Sequence, residues 1–503
     1  MRWIHPLSPE TGESADILGG KGYGLVVLQR LGLPVPPGFV IGTDACRAFL
    51  RDGRFPDGLD AELAAAVSDL ETTTRRRLGG SFRPLAVSVR SGGSMSMPGM
   101  MNTILNLGLT AESTAGLAAE TGDPRFAHDS RRRFLSSFAS AVDGPVPADA
   151  RRQLDLAIGA VFSSWNTPRA RTYRELHDIP HERGTAVTVQ AMVFGNRDNH
   201  SGTGVAFSRD PNTGERVPYG EVLSGCQGED VVSGRSTTRP LSDLAGPEPV
   251  TWVGLLEALS RIEGHYRDAC QVEFTFEAGE LWILQVRSGG LVGRAAVRVA
   301  VDLADEGVIG RREALLRISP RHIPPTHTPR IEAVGTNDIL ARGVGASPGV
   351  AVGRVATTAD QAARMAADGP VILVRPHTSP LDMHGLAAAA GVVTVRGGPT
   401  SHAAVVARAM GKPAVVGATD LTVDVAAACV RVGGRTLPDG TLIAIDGTGG
   451  EVVVGSPRIV TGTTDFALSR LLEWADEVSG EASHDEVRRL LAAHKVLAAH
   501  TEV

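Results

Sequence analysis

The period of the apolar positions changes along the chain, and the changes mark its organisation. Residues 17–50 read as a glycine loop, a helix over 24–31, a Pro/Gly break over 34–38, a strand and a second helix. Ala/Leu/Val spacing predicts helices over 59–78, 126–142 and 148–165, with a short strand over 84–90 running into a Gly/Ser/Met loop. From residue 186 the pattern turns to strands, over 186–194, 204–207, 272–276 and 281–286. The last two flank a turn at 277–280 and predict a hairpin. Two connector helices follow, over 295–303 and 311–318, and then a proline-rich linker over 319–330.

A second unit starts near residue 342. Short Val/Ile runs over 353–356, 371–374, 392–395, 442–445 and 452–454 alternate with Ala-rich helices over 359–367, 380–390 and 402–410. That alternation predicts an α/β unit. Residues 464–478 and 483–500 read as two further amphipathic helices. The apolar face of the last (Val487, Leu490, Leu491, Val496, Leu497) is expected to be exposed and free to dock a partner.

Composition narrows the class. At 503 residues, the length suggests about three domains. The chain is 42% apolar, which excludes wholesale disorder, and no apolar run approaches the ~18 residues of a membrane span. The amino terminus lacks a signal pattern, and a net charge of −6 argues against a general nucleic-acid binder. Cys46, Cys226, Cys270 and Cys429 lie far apart, which fits a reducing cytoplasm with neither a zinc site nor a disulfide framework. Only three of the 50 basic residues are lysine (Lys21, Lys412, Lys495). A lysine kept against that background suggests a need for a compact ammonium, or chance.

Four stretches carry candidate chemistry. Gly19-Gly20-Lys21-Gly22-Tyr23-Gly24 suits either an ordinary tight turn or a phosphate loop, with Lys21 adding charge. It is not a P-loop, because the Gly-Lys-Ser/Thr ending is absent. Arg90 ends a strand before a small-residue loop, which suits phosphate capture by fork and backbone donors. Four methionines (Met95, Met97, Met100, Met101) follow it, fit either for an adenine pocket or for the core. In the predicted hairpin, Gln285 and Arg287 share a face and Glu273 falls opposite Gln285. Carboxylate and amide oxygens suit Mg²⁺, with Arg287 beside them for phosphate; the alternative is a surface cross-strand pair. Finally, Gly397-Gly398-Pro399-Thr400-Ser401-His402 runs into a helix. An imidazole in a helix's first turn favours negative charge on the ring, so His402 suits a nucleophile that becomes a phosphohistidine rather than a merely structural residue. Thr400 and Ser401 are expected to cap that helix.

These stretches, in this order, resemble the pyruvate phosphate dikinase family of phosphoenolpyruvate-utilising enzymes over most of residues 15–478. Matching runs include 103–109 (Thr-Ile-Leu-Asn-Leu-Gly-Leu), 190–196 (Gln-Ala-Met-Val-Phe-Gly-Asn), 201–207 (Ser-Gly-Thr-Gly-Val-Ala-Phe), 227–232 (Gln-Gly-Glu-Asp-Val-Val) and 400–408 (Thr-Ser-His-Ala-Ala-Val-Val-Ala-Arg). The resemblance implies a mixed α/β (α+β) chain. It would comprise an ATP-grasp nucleotide-binding domain over 1–290, a helical and proline-rich linker over 291–340, a swivelling phosphohistidine domain over 341–460 and a helical tail over 461–503. It implies that Lys21, Arg90 and Arg287 contact the ATP phosphates, that Glu273 and Gln285 hold Mg²⁺, that Glu229 sits at the nucleotide and that His402 carries the phosphoryl group. Departures from the family pattern are Gln271 where aspartate is common, Gly92-Gly93-Ser94-Met95-Ser96 without the usual arginine, Asn102 for aspartate and Pro399 for methionine.

The family continues into a (β/α)₈ barrel that binds pyruvate or phosphoenolpyruvate, which residues 479–503 are too short to form. The expected activity is therefore the ATP half of a dikinase, with the acceptor on a separate barrel subunit. Direct phosphorylation of a small molecule and a nucleotide-binding regulatory protein without turnover are the alternatives. A homodimer is compatible with the resemblance.

Overall fold

A computed structural model describes residues 2–93, 95, 97, 100–176, 178–232, 238–291, 293–323, 329–332, 339–461, 466–481 and 483–499. The chain forms two compact units. One comprises Met1–Gly202 with Glu273–Arg287, the other Thr203–Val272 with Ser288–Val503.

The first unit is built on a five-stranded antiparallel sheet. Its strands run in the order Ile4–Pro6, Gly38–Ile41, Ala186–Ala191, Val87–Gly92, Thr103–Leu107. Alternation decides which face is which. Val87 and Val89, with Val187 and Val189 of the neighbouring strand, join Phe134, Leu154, Ile158 and Phe162 in one apolar core. Ser88 and Arg90 therefore point to the other face, where the helix Ala15–Arg30 packs. That helix begins well before the predicted 24–31. It absorbs the glycine run at a single non-helical residue, Gly19 (φ 68°, ψ 159°). The glycines are packing residues: a Cβ on Gly22 would stand 2.9 Å from the Val40 side chain, and one on Gly24 3.0 Å from that of Val286.

In the second unit, eight strands form a mixed sheet whose centre is parallel (Val350–Ala356, Val371–Arg375, Gly391–Thr394, Ala414–Val416). Leu373, Val392, Ala414 and Val416 face the helices Ala359–Met365, Met383–Ala388 and His402–Ala409. Ile372, Val374, Val393 and Val415 face a separate three-stranded sheet (Thr422–Asp424, Cys429–Val432, Arg435–Pro438). Pattern reading also passed over the helix Pro249–Tyr266, whose first turns carry the β-branched and aromatic residues Val250, Thr251, Trp252 and Val253.

The two last helices, Phe466–Ser479 and Glu486–Ala499, lie against Gly293–Asp305 and Arg311–Arg317. Leu490 and Leu497, expected on a free docking face, are buried in that cluster beside Leu315 and Leu471, and Val487 packs on it. Of the five named positions, Leu491 is the large apolar residue that stands exposed. The expected docking face is therefore largely spent inside the chain, because the connector helices offer an apolar partner that pattern reading could not place. Among the described residues, no helix is long and apolar enough to cross a membrane.

Lys412 also finds its reason here. Its Nζ donates to the carbonyls of Leu386 (3.1 Å), Ala387 and Ala389 (2.5 Å), where the helix Met383–Ala388 ends. A point-like ammonium serves three converging carbonyls as a planar guanidinium does not. Lys412→Met is expected to lower stability by about 1 kcal/mol, with Lys412→Arg failing to restore it. The shift of the urea midpoint measures both.

Candidate functional site

Arg90 leaves its strand on the face opposite the core and meets the hairpin formed by Cys270–Glu277 and Glu280–Ser288. Its Nη2 donates to Glu273 Oε2 (3.0 Å) and to Gln285 Oε1 (3.3 Å), and its Nη1 to the Leu284 carbonyl (3.0 Å). Arg287 Nη2 lies 3.8 Å from Glu273 Oε1. Burial, reinforced by Arg90 and Arg287 and only partly offset by Glu273, holds the Lys21 ammonium pKa well below its ordinary value. Burial works against the Glu273 carboxylate too, but Arg90, Arg287 and Lys21 prevail and keep its pKa below the usual range. The predicted constellation Lys21, Arg90, Glu273, Gln285 and Arg287 is thus one cluster, three cations around one carboxylate and one amide.

The backbone brings Lys21 there. Gly20 N donates to the Gly93 carbonyl (2.9 Å), so the kinked helix start is stitched to the end of the Arg90 strand. Of the Met-rich loop, Ser94, Ser96, Pro98 and Gly99 lie outside the described residues. Met100 is buried, and the Met101 sulfur lies 3.8 Å from Ser164 Oγ at the end of the helix Ala150–Ser164, so these two pack against protein. A cavity of about 270 Å³ in this unit is lined instead by Ala86, Phe126, Met192, Phe194 and Trp282 among others. Glu229 is exposed, on the short helix Gly228–Val232 of the second unit.

His402 opens its helix beyond the carboxyl ends of two adjacent parallel strands, Val371–Arg375 and Gly391–Thr394. The loops after both strands converge on the ring. Thr378 Oγ1 lies 3.2 Å from Nδ1, whereas Nε2 is buried with no hydrogen-bond partner among the described residues. Burial, against the weaker opposing field of Asp382, lowers the imidazole pKa and favours the neutral nucleophilic form. Asp382 fixes the loop that delivers Thr378. It accepts from Ser379 N (2.8 Å) and Ser379 Oγ (3.1 Å), and pairs with Arg375 (3.3 Å).

The glycine loop before His402 is held from two sides. Glu221 Oε1 accepts from Thr400 N (2.7 Å), and a Cβ on Gly398 would stand 2.4 Å from the Glu221 carboxyl carbon. Arg408 donates to the Pro399 and Ala346 carbonyls (2.6 and 2.7 Å). Burial raises the Glu221 pKa, and burial brings that of Arg408 down to about 10. The expected cap is corrected: Ser401 is the N-cap residue, but its side chain makes no capping bond. Thr378, Asp382 and Glu221 escaped sequence reading. The signal for the first two was a polar run, His377-Thr378-Ser379-Pro380, directly after a parallel strand, while Glu221 lies far away in sequence.

Two candidate sites thus stand apart in the chain, three basic side chains around the Glu273 carboxylate and a histidine in the first turn of a helix. Residues 15–76 and 51–240 match the pyruvate phosphate dikinase AMP/ATP-binding domain, and residues 367–450 match the mobile domain of phosphoenolpyruvate-utilising enzymes. The chain carries these two domains of the pyruvate phosphate dikinase family. It is 42% identical to a pyruvate, phosphate dikinase of Rhizobium meliloti (strain 1021), over 94% of this chain and 60% of the relative. Two plant relatives are each 41% identical over 92% of this chain: pyruvate, phosphate dikinase 2 of Zea mays, of which 58% is covered, and the chloroplastic pyruvate, phosphate dikinase 1 of Oryza sativa subsp. japonica, of which 54% is covered. The chain therefore spans little more than half the length of these relatives.

Proposed function

We propose that this chain transfers a phosphoryl group from ATP to His402 and on to an acceptor of the pyruvate/phosphoenolpyruvate type held by a separate barrel subunit. The observation that carries the reading is the ring itself: Nδ1 beside Thr378, and a buried Nε2 with no hydrogen-bond partner among the described residues. With its Nδ1 proton donated to Thr378, the imidazole presents the Nε2 lone pair. The Nε2–P bond forms as the P–O bond to the departing phosphate chain breaks, and the electron pair leaves on that oxygen. Lys21, Arg90 and Arg287 would stabilise the charge that develops on the transferred group and the leaving oxygen. Glu229 would sit at the nucleotide. The partition into a nucleotide domain (1–290), linker (291–340), carrier domain (341–460) and tail (461–503) belongs to the same proposal, as does a cytoplasmic setting.

A hard divalent cation fits this donor set, since Glu273 and Gln285 turn oxygens to one place with Arg90 and Arg287 alongside. Mg²⁺ held by those two side chains would supply neutralisation of phosphate charge. ATP labelled in turn at the β and γ positions tests the reading. Acid-labile label on the protein from one of the two is expected, that from the β position on the family precedent. No retained label from either would sink the proposal.

A further inference from the structure

The oxygens suited to a divalent cation are held by guanidinium groups. Arg90 spans Glu273 Oε2 and Gln285 Oε1, and Arg287 stands beside Glu273 Oε1. Arg90 is not a wandering surface side chain: it is 13% exposed and anchored on the Leu284 carbonyl. A dication that reached these oxygens alone would stand within a few ångströms of two guanidinium charges. A polyphosphate reverses the balance, because its oxygens accept two parallel bonds from a guanidinium and bring their own negative charge.

We propose that Arg90 and Arg287 lock the metal ligands, so that the cluster accepts a divalent cation only together with a polyphosphate. The nucleotide draws the guanidinium groups onto its phosphates and thereby frees Glu273 and Gln285. The inference rests on the nucleotide-site reading above. Its consequence is that stray divalent cations do not fill the cluster ahead of the nucleotide.

Mn²⁺ is the probe, its free fraction read by electron paramagnetic resonance with the full chain. Wild type is expected to bind Mn²⁺ alone at least roughly tenfold more weakly than with saturating β,γ-imido ATP. Arg90→Met is expected to bind Mn²⁺ alone at least roughly tenfold more tightly than wild type while binding the analogue less well. Lys21 shares the field of Glu273 without an ion pair to it among the described residues, so Lys21→Met removes a neighbouring basic group without uncovering an oxygen. Its gain in Mn²⁺ affinity is expected to stay below about threefold. Arg287→Met carries the same comparison if Arg90→Met does not fold. Unchanged or weaker Mn²⁺ binding in the arginine variants, or an equal gain in Lys21→Met, overturns the lock. These arms need no nucleotide. Failure of wild type to bind the analogue at all would instead overturn the nucleotide reading, and the lock would still be judged on Mn²⁺ alone.

Discussion

His402→Asn is expected to abolish acid-labile labelling from ATP, lowering phosphoenzyme formation by ~10³-fold or more, while the chain still binds the nucleotide analogue. Asparagine keeps a polar group near Thr378 Oγ1 but has no second nitrogen where Nε2 stands. The effect would be large because the proposed function makes nucleophile and carrier the same atom, so no neighbouring group could take over half of its work. Thr378→Val should fall between the extremes, roughly 10–100-fold slower, since it removes one orienting hydrogen bond and leaves the nucleophile in place. Acidity supplies an independent check. Burial holds the His402 pKa below its ordinary 6.5, so the neutral ring persists to lower pH than in an exposed histidine. Labelling rate should therefore be level through neutrality and drop only as pH falls below 6.5 through the lowered pKa. Full labelling by His402→Asn in quenched-flow experiments would exclude this residue as the carrier.

Gly19→Ala is expected to cost about 3 kcal/mol or more of stability and to remove nucleotide binding together with it. Gly19 has φ 68° and ψ 159°, a region open essentially to glycine alone. Space forbids the change as firmly as strain does, because the added Cβ would lie 1.7 Å from the Gly92 carbonyl oxygen, a backbone atom with nowhere to go. Relief requires the helix start to lift off the strand end, which breaks the Gly20–Gly93 hydrogen bond and withdraws Lys21 from Arg90 and Glu273. Denaturant melts and calorimetric titration with imido ATP read the two losses. Full stability in the variant would show that the glycine is not required there.

The contrast between these two positions shows how far the chain can be read without its fold. The place of His402 at a helix start was legible because its signals are local: a β-branched run, a glycine pair, two hydroxyl residues and then a helical repeat. Gly19 was misread as part of a loop before the helix, since glycine has two uses. Only the packing of its helix against the Arg90 strand tells close approach from flexibility. The hairpin was also legible, because a two-residue period with a turn in the middle is enough to predict it, and Arg90 reaches both Glu273 and Gln285 on it.

What the sequence by itself determined was the kinds of elements and the chemistry available on each, since periodicity and side-chain type are properties of neighbouring residues. The tertiary structure decided what the distant pieces do to one another. Arg90 pairs with Glu273 across 183 positions, Glu221 with Thr400 across 179, and the last helix closes on Leu315. Those outcomes depend on which faces meet once cores are buried, and no local period encodes them, because the same amphipathic stripe serves equally well against its own chain or another.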